Sequence, residues 1–243
     1  MISKNDAKYI QSLYHKKTRD EEGLFVAEGP KLVNELLKSD FEIKHIYALN
    51  EWMPDNNAIS GLTIIEETEL QKISNLQTPN QVLAIVKMPG INQEPVLNKT
   101  LTLVLDGIQD PGNMGTILRI ADWFGIYQVI ASEDTVDIYS PKVVQATMGS
   151  IARVKVWYKS LSQLLAGVPV KIYGAMLNGD DVYKTGQIKE GLLVIGNEGG
   201  GIRKEVLPFV KYPLTIPKRG GAESLNAAVA TGIILSHITG GGH

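Results

Sequence analysis

The side chains with the most chemistry to offer lie in three turns in the second half of the chain. The first is Asp106-Gly107-Ile108-Gln109-Asp110-Pro111-Gly112-Asn113-Met114-Gly115, dense in turn formers and followed by Thr116-Ile117-Leu118-Arg119-Ile120-Ala121. Asn113 reads either as an ordinary helix cap or as a hydrogen-bonding group for a ligand. Arg119 sits one helical turn in, within an otherwise apolar stretch, where a guanidinium is costly to desolvate unless a partner or ligand meets it. The second turn is Gly196-Asn197-Glu198-Gly199-Gly200-Gly201-Ile202. Its glycines permit a flexible hairpin-like turn or a close backbone approach to a ligand, and Glu198 could neutralise or orient a cationic group. It is neither a dinucleotide fingerprint nor a Walker A loop. The third runs from Ile216-Pro217-Lys218-Arg219 to Glu223-Ser224-Leu225-Asn226. Ser224 there suits a helix cap, and Ala227, Ala228 and Ala230 suit close helix packing.

Each turn follows an apolar run or precedes a helical pattern. Leu101–Leu105, Tyr127–Ala131, Val154–Trp157, Val170–Gly174, Leu192–Ile195 and Tyr212–Ile216 read as buried parallel strands. Helical patterns separate them at Thr116–Phe124, Pro141–Met148, Leu161–Leu165 and Arg203–Leu207, with a last one at Leu225–Ile238. Alternation of this kind predicts a doubly wound α/β sheet, whose ligands bind at the carboxyl ends of strands. The first half repeats the alternation on a smaller scale. Its strands are expected at Leu24–Ala27, Ile43–Leu49, Leu62–Ile65 and Val82–Val86, and its helices at Asn5–Tyr14, Pro30–Lys38 and Glu67–Leu76. The polar, proline-bearing stretch around 88–95 marks the boundary. The expected division is therefore residues 1–90, a linker over 91–100, and residues 101–239. The closing 240–243 reads as an appended tail outside the fold.

Composition narrows the classes. The chain has no cysteine, so no thiolate metal site, disulfide or cysteine nucleophile is open to it. His15, His45, His237 and His243 are scattered without metal-ligand spacing, and a metal-free protein is expected. No apolar run is long enough to cross a bilayer and no signal-peptide pattern opens the chain, so a cytoplasmic location is expected. Net charge is −2, unevenly spread: residues 1–95 carry 10 Lys/Arg against 14 Asp/Glu, leaving 14 against 12 for the rest. Basic residues cluster at His15-Lys16-Lys17-Arg19, Arg203-Lys204 and Lys218-Arg219. Such clusters serve either as solvated faces or as local phosphate contacts, whose reach is about one Debye length, ~8 Å.

Taken together, in order and spacing, the three turns resemble the signature motifs of the SpoU (TrmH-type) RNA ribose methyltransferases of the SPOUT class. These motifs are D-x-x-x-D-P-x-N-x-G-x-x-x-R-x-A over Asp106–Ala121, I-G-x-E-x-x-G-I over Ile195–Ile202, and I-P-x-x-G-x-x-x-S-L-N over Ile216–Asn226. Lys218 departs from the methionine common at its position, and Ala227 from a frequent valine. Residues 1–90 are similar to the L30e-like substrate-binding domain attached to many members.

The resemblance implies transfer of a methyl group from S-adenosylmethionine to a ribose 2′-hydroxyl, by a homodimer whose C-terminal SPOUT domain carries a trefoil knot. It implies a catalytic set of Arg119, Asn113, Glu198 and Ser224. Cofactor binding is implied for Gly174, Ala175, Met176, Gly196, Ile216, Ser224, Leu225 and Asn226. RNA grip is expected of Lys16, Lys17 and Arg19 on the N-terminal domain, with ribosomal RNA favoured over transfer RNA. Two readings stay open beside it: a non-catalytic RNA-binding protein on the same fold, and a nucleotide-cofactor oxidoreductase, which the missing glycine fingerprint disfavours.

Overall fold

The computed structural model describes residues 1–52, 61–90 and 93–240. Parts of the expected linker (91–92) and tail (241–243) lie outside the described residues. Packing divides the chain into two units, Met1–Gly90 with Asp137–Arg153, and Ile91–Val136 with Val154–His243. The segment Asp137–Arg153, assigned from the sequence to the second half, thus belongs with the first.

The first unit runs α1 (Lys4–Ser12), α2 (Lys16–Glu22), β1 (Leu24–Glu28), α3 (Pro30–Leu37), β2 (Ile43–Ala48), β3 (Leu62–Ile64), α4 (Glu67–Ile73) and β4 (Val82–Lys87). Its sheet has the order β1-β4-β2-β3, with β4 antiparallel to β1 and β2. The two-residue period of β1 sets the two faces. Phe25 and Ala27 join Leu32, Val33 and Leu36 of α3 in one core, to which Val144 and Ile151 of the late segment contribute. Val26 points the other way, into a core with Ile10 and Leu13 from the start of the chain and Leu70 and Ile73 of α4. Helix α2, absent from the sequence expectation, has no apolar stripe. It is closed by Gly23 at φ 65°, whose N–H bonds the Arg19 carbonyl.

Buried polar groups tie this unit together. The Tyr14 hydroxyl lies 2.8 Å from both Glu28 Oε1 and the Ile73 carbonyl oxygen, and Glu28 also accepts from Ser74 Oγ and from Asn75 N–H. Burial, then the charge of Glu28, pushes the Tyr14 phenol far above its ordinary range. The folded state therefore keeps a proton that the unfolded chain releases near pH ~10, and stability falls as pH rises past that point. Tyr14→Phe is expected to lower stability by about 1 kcal/mol at pH ~7 through the lost hydrogen bond. It should also flatten the decline in Tm between pH ~8 and ~11. Parallel alkaline slopes for the two proteins would count against this account.

The second unit runs β5 (Leu101–Asp106), α5 (Pro111–Trp123) and β6 (Gln128–Ser132). The chain then supplies α6 (Pro141–Thr147) to the first unit before returning with β7 (Lys155–Lys159), α7 (Leu161–Ala166), β8 (Ile172–Asp181), β9 (Gly191–Gly196), β10 (Tyr212–Thr215) and α8 (Ala227–Ile238). All six strands are parallel, in the order β10-β8-β9-β5-β6-β7. Strand β5 is buried along its whole length, Thr102 and Asp106 included, as a central parallel strand is. Val104, Ile130, Leu192 and Val194 pack on Leu161 and Leu165 of α7, while α8 packs on α5, β8 and β9.

Three local expectations are corrected. Residues 203–207 form turns leading into a short 3-10 helix at Leu207–Phe209 rather than an α-helix. Strand β8 reaches Asp181, and its pairing with β10 shifts register between Pro213 and Leu214, from Gly174 to Asp180. Helix α5 begins at Pro111, capped by the Asp110 carboxylate on Asn113 N–H at 2.7 Å, so Asn113 is not the cap. Among the described residues no helix is long and apolar enough to cross a membrane.

Candidate active site

Strand order reverses between β5 and β9: β5, β6 and β7 run outward to one side, and β9, β8 and β10 lie on the other. In parallel sheets ligands lodge beyond the strand ends at such a switch point. The loops leaving it are 107–110 after β5 and 197–202 after β9.

A chain of side-chain hydrogen bonds joins these loops to the third. Asn226 caps α8, its Oδ1 accepting from Ala228 N–H at 2.9 Å and Val229 N–H at 3.2 Å. Because helix amides only donate, this fixes the amide orientation of Asn226, and its Nδ2 must point the other way. That Nδ2 donates to Asn113 Oδ1 at 2.7 Å, which in turn directs Asn113 Nδ2 to Glu198 Oε1 at 2.6 Å. The donor direction thus runs from the positive end of α8 through two amides into one carboxylate. Glu198 Oε2 bonds no described residue.

The glycine turn is a tight hairpin. Asn197 and Gly201 exchange backbone hydrogen bonds at 3.1 and 2.9 Å, and Gly201 adopts φ 65°. A Cβ on Gly196 would stand 2.2 Å from the Gly201 carbonyl carbon, so glycine there serves the turn's own closure. At Gly174 a Cβ would meet Val210 and Ile202 side chains at 2.7 and 3.0 Å, so that glycine serves packing instead of opening a cradle. Ala175 and Met176 lie in β8 just past Gly174, half-buried, next to exposed Leu177. Ile216 is half-buried; Ser224, Leu225 and Asn226 are exposed, and Ser224 is two residues short of the cap it was expected to be.

Arg119 lies outside the hydrogen-bond chain. It is exposed on a stripe of α5 with Gly112, Thr116 and Trp123, spaced as one helical face. No described residue pairs with it, so within one chain its guanidinium is hydrated rather than desolvated as the apolar sequence context had suggested.

The expected RNA-gripping cluster does not act as a unit. Arg19 is 3% exposed and spends its guanidinium on the Leu13 and Tyr14 carbonyls and on Asp137 Oδ2 at 2.7 Å, all within the first unit. It is a structural tie rather than a phosphate contact. Lys16 and Lys17 are exposed and pair with Asp20 and Glu21 one turn on. Sequence reasoning also passed over Asp110, Asn197 and Asp106 as organisers of the site; Asp-Pro ahead of a helix is a readable cap signal, whereas the other two act only through tertiary contacts.

Comparison with known proteins agrees with this arrangement. Residues 100–236 match the SpoU rRNA Methylase family, and residues 4–84 match the MRM3-like substrate binding domain. The chain is 32% identical to the 23S rRNA (guanosine(2553)-2′-O)-methyltransferase RlmP of Bacillus subtilis, over 95% of this chain and 94% of that one. A TrmH-family structure from Porphyromonas gingivalis superposes with a TM-score of 0.88 at 39% identity, covering 98% of both chains. An AdoMet-bound rRNA methyltransferase from Sinorhizobium meliloti gives 0.84 at 28% identity, covering 98% and 96%. A matched domain spanning the whole second unit's sheet, with all three turns inside it, means that this chain belongs to the SpoU rRNA methylase family.

Proposed function

We propose that the protein transfers a methyl group from S-adenosylmethionine to a ribose 2′-hydroxyl of ribosomal RNA. The observation that carries this reading is the bonded series Asn226–Asn113–Glu198, which draws three sequence-distant turns to one point beside the switch of the sheet. The ribosomal preference follows the named activities of the Bacillus subtilis and Sinorhizobium meliloti relatives.

The loops at the strand ends suit the cofactor by their chemistry. The adjacent strands β10, β8, β9 and β5 run parallel and so end on one side of the sheet. Leu177, in β8, and Leu225, in the loop before α8, expose apolar surface of the kind an adenine wall requires. Met176, Ile216, Leu225 and the backbone around Gly196 would hold the group, with the 175–179 and 217–226 segments as its walls and a knotted passage of the chain between them. When bound, the cofactor supplies an electrophilic methyl on a sulfonium.

The chain's own groups orient the nucleophile. Arg119 offers five N–H donors and no acceptor, and so serves as a fork for the target phosphate and for the developing alkoxide rather than as a base. Asn113 has both ends of its amide engaged; it positions Glu198 and does not itself bind ribose. Glu198 Oε2 remains open to a donor from the substrate or a cation. Ser224, exposed in the third turn, is available to the ribose hydroxyls. On the first unit, Lys16 and Lys17 can exchange their acidic neighbours for RNA phosphates at little cost, since exposed pairs are worth about 0–1 kcal/mol.

The protein acts as a homodimer through the outer face of α5 and α8. Trp123 is 85% exposed and Val229 is 50% exposed, and both lie on the stripes these packed helices turn outward. Covering that face would also withdraw Arg119 from water and strengthen its grip on an anion. Trp123→Glu is expected to convert a dimeric mass to a monomeric one in light scattering and to reduce transfer with it. A dimer unaffected by this charge would locate the interface elsewhere.

The reading is tested by single-turnover transfer from methyl-labelled S-adenosylmethionine to purified ribosomal and transfer RNA, followed by mapping of the alkali-resistant linkage. Label confined to a 2′-O-methyl site in ribosomal RNA is the expected result. Absence of label, or label on a base, would overturn it.

A further inference from the structure

Asp106 is the last residue of β5 and is fully buried, at 0% exposure. A carboxylate in that position is strongly disfavoured unless its lone pairs are met. Here they are met by a single residue from the far end of the glycine turn. Asp106 Oδ2 accepts the Arg203 main-chain N–H at 2.8 Å, and Oδ1 receives Arg203 Nε at 2.6 Å and a terminal guanidinium nitrogen at 2.5 Å. The near end of the same turn is fastened to the next residue along, with Asn197 Nδ2 donating to the Gly107 carbonyl at 2.6 Å. Asp134, after β6, holds the outer edge of the guanidinium at 3.3 Å.

The segment from Asn197 to Arg203 is thus pinned at both ends to two consecutive residues of β5's terminus. Its one acidic side chain between those pins is Glu198, the end of the hydrogen-bond series from α8. Three consecutive glycines, Gly199 to Gly201, follow Glu198, and glycine backbone surrenders more conformational freedom on ordering than any other. An external restraint is what such a turn needs to hold one side chain in place. The resemblance gave Asp106 and Arg203 no role.

We infer that Asp106 and Arg203 form a latch that sets Glu198 against Asn113, which makes Asp106 a positioning residue for methyl transfer. This rests on the transferase reading above. Displacing a reacting arrangement by about 1 Å costs on the order of 100-fold in rate.

The test uses the full chain with ribosomal RNA and S-adenosylmethionine at saturation. Asp106→Asn keeps the volume but presents an amide nitrogen or a neutral oxygen to the guanidinium. It is expected to lower kcat by about 30–100-fold while the Kd for S-adenosylmethionine and the KM for RNA move less than about threefold. On a Glu198→Gln background the same change should cost less than about threefold more, because both act through one group. Arg203→Lys keeps the charge without the fork, should lower kcat by about tenfold, and carries the same cycle should Asp106→Asn fail to fold. Equal losses with and without Glu198, or unchanged kcat in a folded Asp106→Asn protein, would overturn the latch. Hydrogen exchange of the 199–202 amides supplies a readout independent of turnover: it should quicken in either variant, and unaltered protection would overturn the latch as well. A wild-type protein that transfers no methyl group would defeat the transferase reading, while exchange would still decide the latch.

Discussion

Substituting Arg119 by alanine is expected to lower single-turnover methyl transfer by about 100- to 1000-fold, the usual cost of removing a donor aimed at developing negative charge. Its effect on Kd for S-adenosylmethionine should stay within about threefold, because Arg119 stands outside the strand-end loops and bonds none of their residues. Exposure on α5 predicts that folding is spared too: a hydrated side chain without partners contributes little, and Tm should stay within about 1–2 °C of wild type. Arg119→Lys separates the two parts of the proposed role. A lysine restores the charge but not the planar two-point fork, so partial recovery is expected, about tenfold above alanine. Near-normal turnover in the alanine variant would remove Arg119 from the chemistry. Full recovery with lysine would leave a charge effect alone.

The pH dependence bears on the same point. A base must accept a proton, and the Arg119 guanidinium offers donors only. As a phosphate and alkoxide ligand it contributes equally across pH ~6–9, and the wild-type profile should show no limb that disappears in Arg119→Lys.

How far the sequence reaches depends on the kind of signal. Strands β5 and β9 are mostly apolar runs that end in acid or glycine, and both are found within a residue or so of expectation. The family resemblance likewise singled out Asn113 and Glu198 for catalysis and Asn226 for cofactor binding before any coordinates joined them. What escaped was tertiary. Helix α2 has charged residues at every position but Thr18 and is held by the buried Arg19, so periodicity is silent about it. Arg119 looked desolvated because its sequence neighbours are apolar, yet a helix advances about 100° per residue, and the third and fourth neighbours decide exposure. The segment Asp137–Arg153 shows the limit of a linear division. Val144 and Ile151 fill the first unit's core although the chain reaches them only after β6. A fragment starting near residue 95 would leave those side chains uncovered, so RNA affinity is better assigned with point variants of Lys16 and Lys17 in the intact chain.

Asn226→Asp is expected to lower kcat by about 10- to 100-fold without unseating α8, a loss that corresponds to one broken hydrogen bond to a charged group, about 1.5–3 kcal/mol. Aspartate caps helices as well as asparagine does, so the amides of Ala228 and Val229 stay satisfied. The change falls on the other side of the residue. A carboxylate oxygen replaces the Nδ2 that donates to Asn113, and acceptor then faces acceptor at a separation of 2.7 Å. Asn113 can turn its amide over to donate to the new carboxylate, but its Oδ1 then confronts Glu198 Oε1 at the 2.6 Å contact. One link must break whichever way the amide lies. The only repair is a proton taken up between the acids, whose mutual repulsion raises the pKa of one of them. Protonation is present below that raised pKa and lost above it, so activity should recover as pH falls from ~8 toward ~5.5. Asn226→Ser supplies the control, since serine also caps the helix but brings no charge and cannot span to Asn113. Its kcat should fall similarly and stay low at every pH. Steady-state kcat profiles of the two variants, with Tm beside them, decide the matter: an Asn226→Asp protein within twofold of wild type at pH ~8 would mean that the three turns are organised by something other than this series of amides.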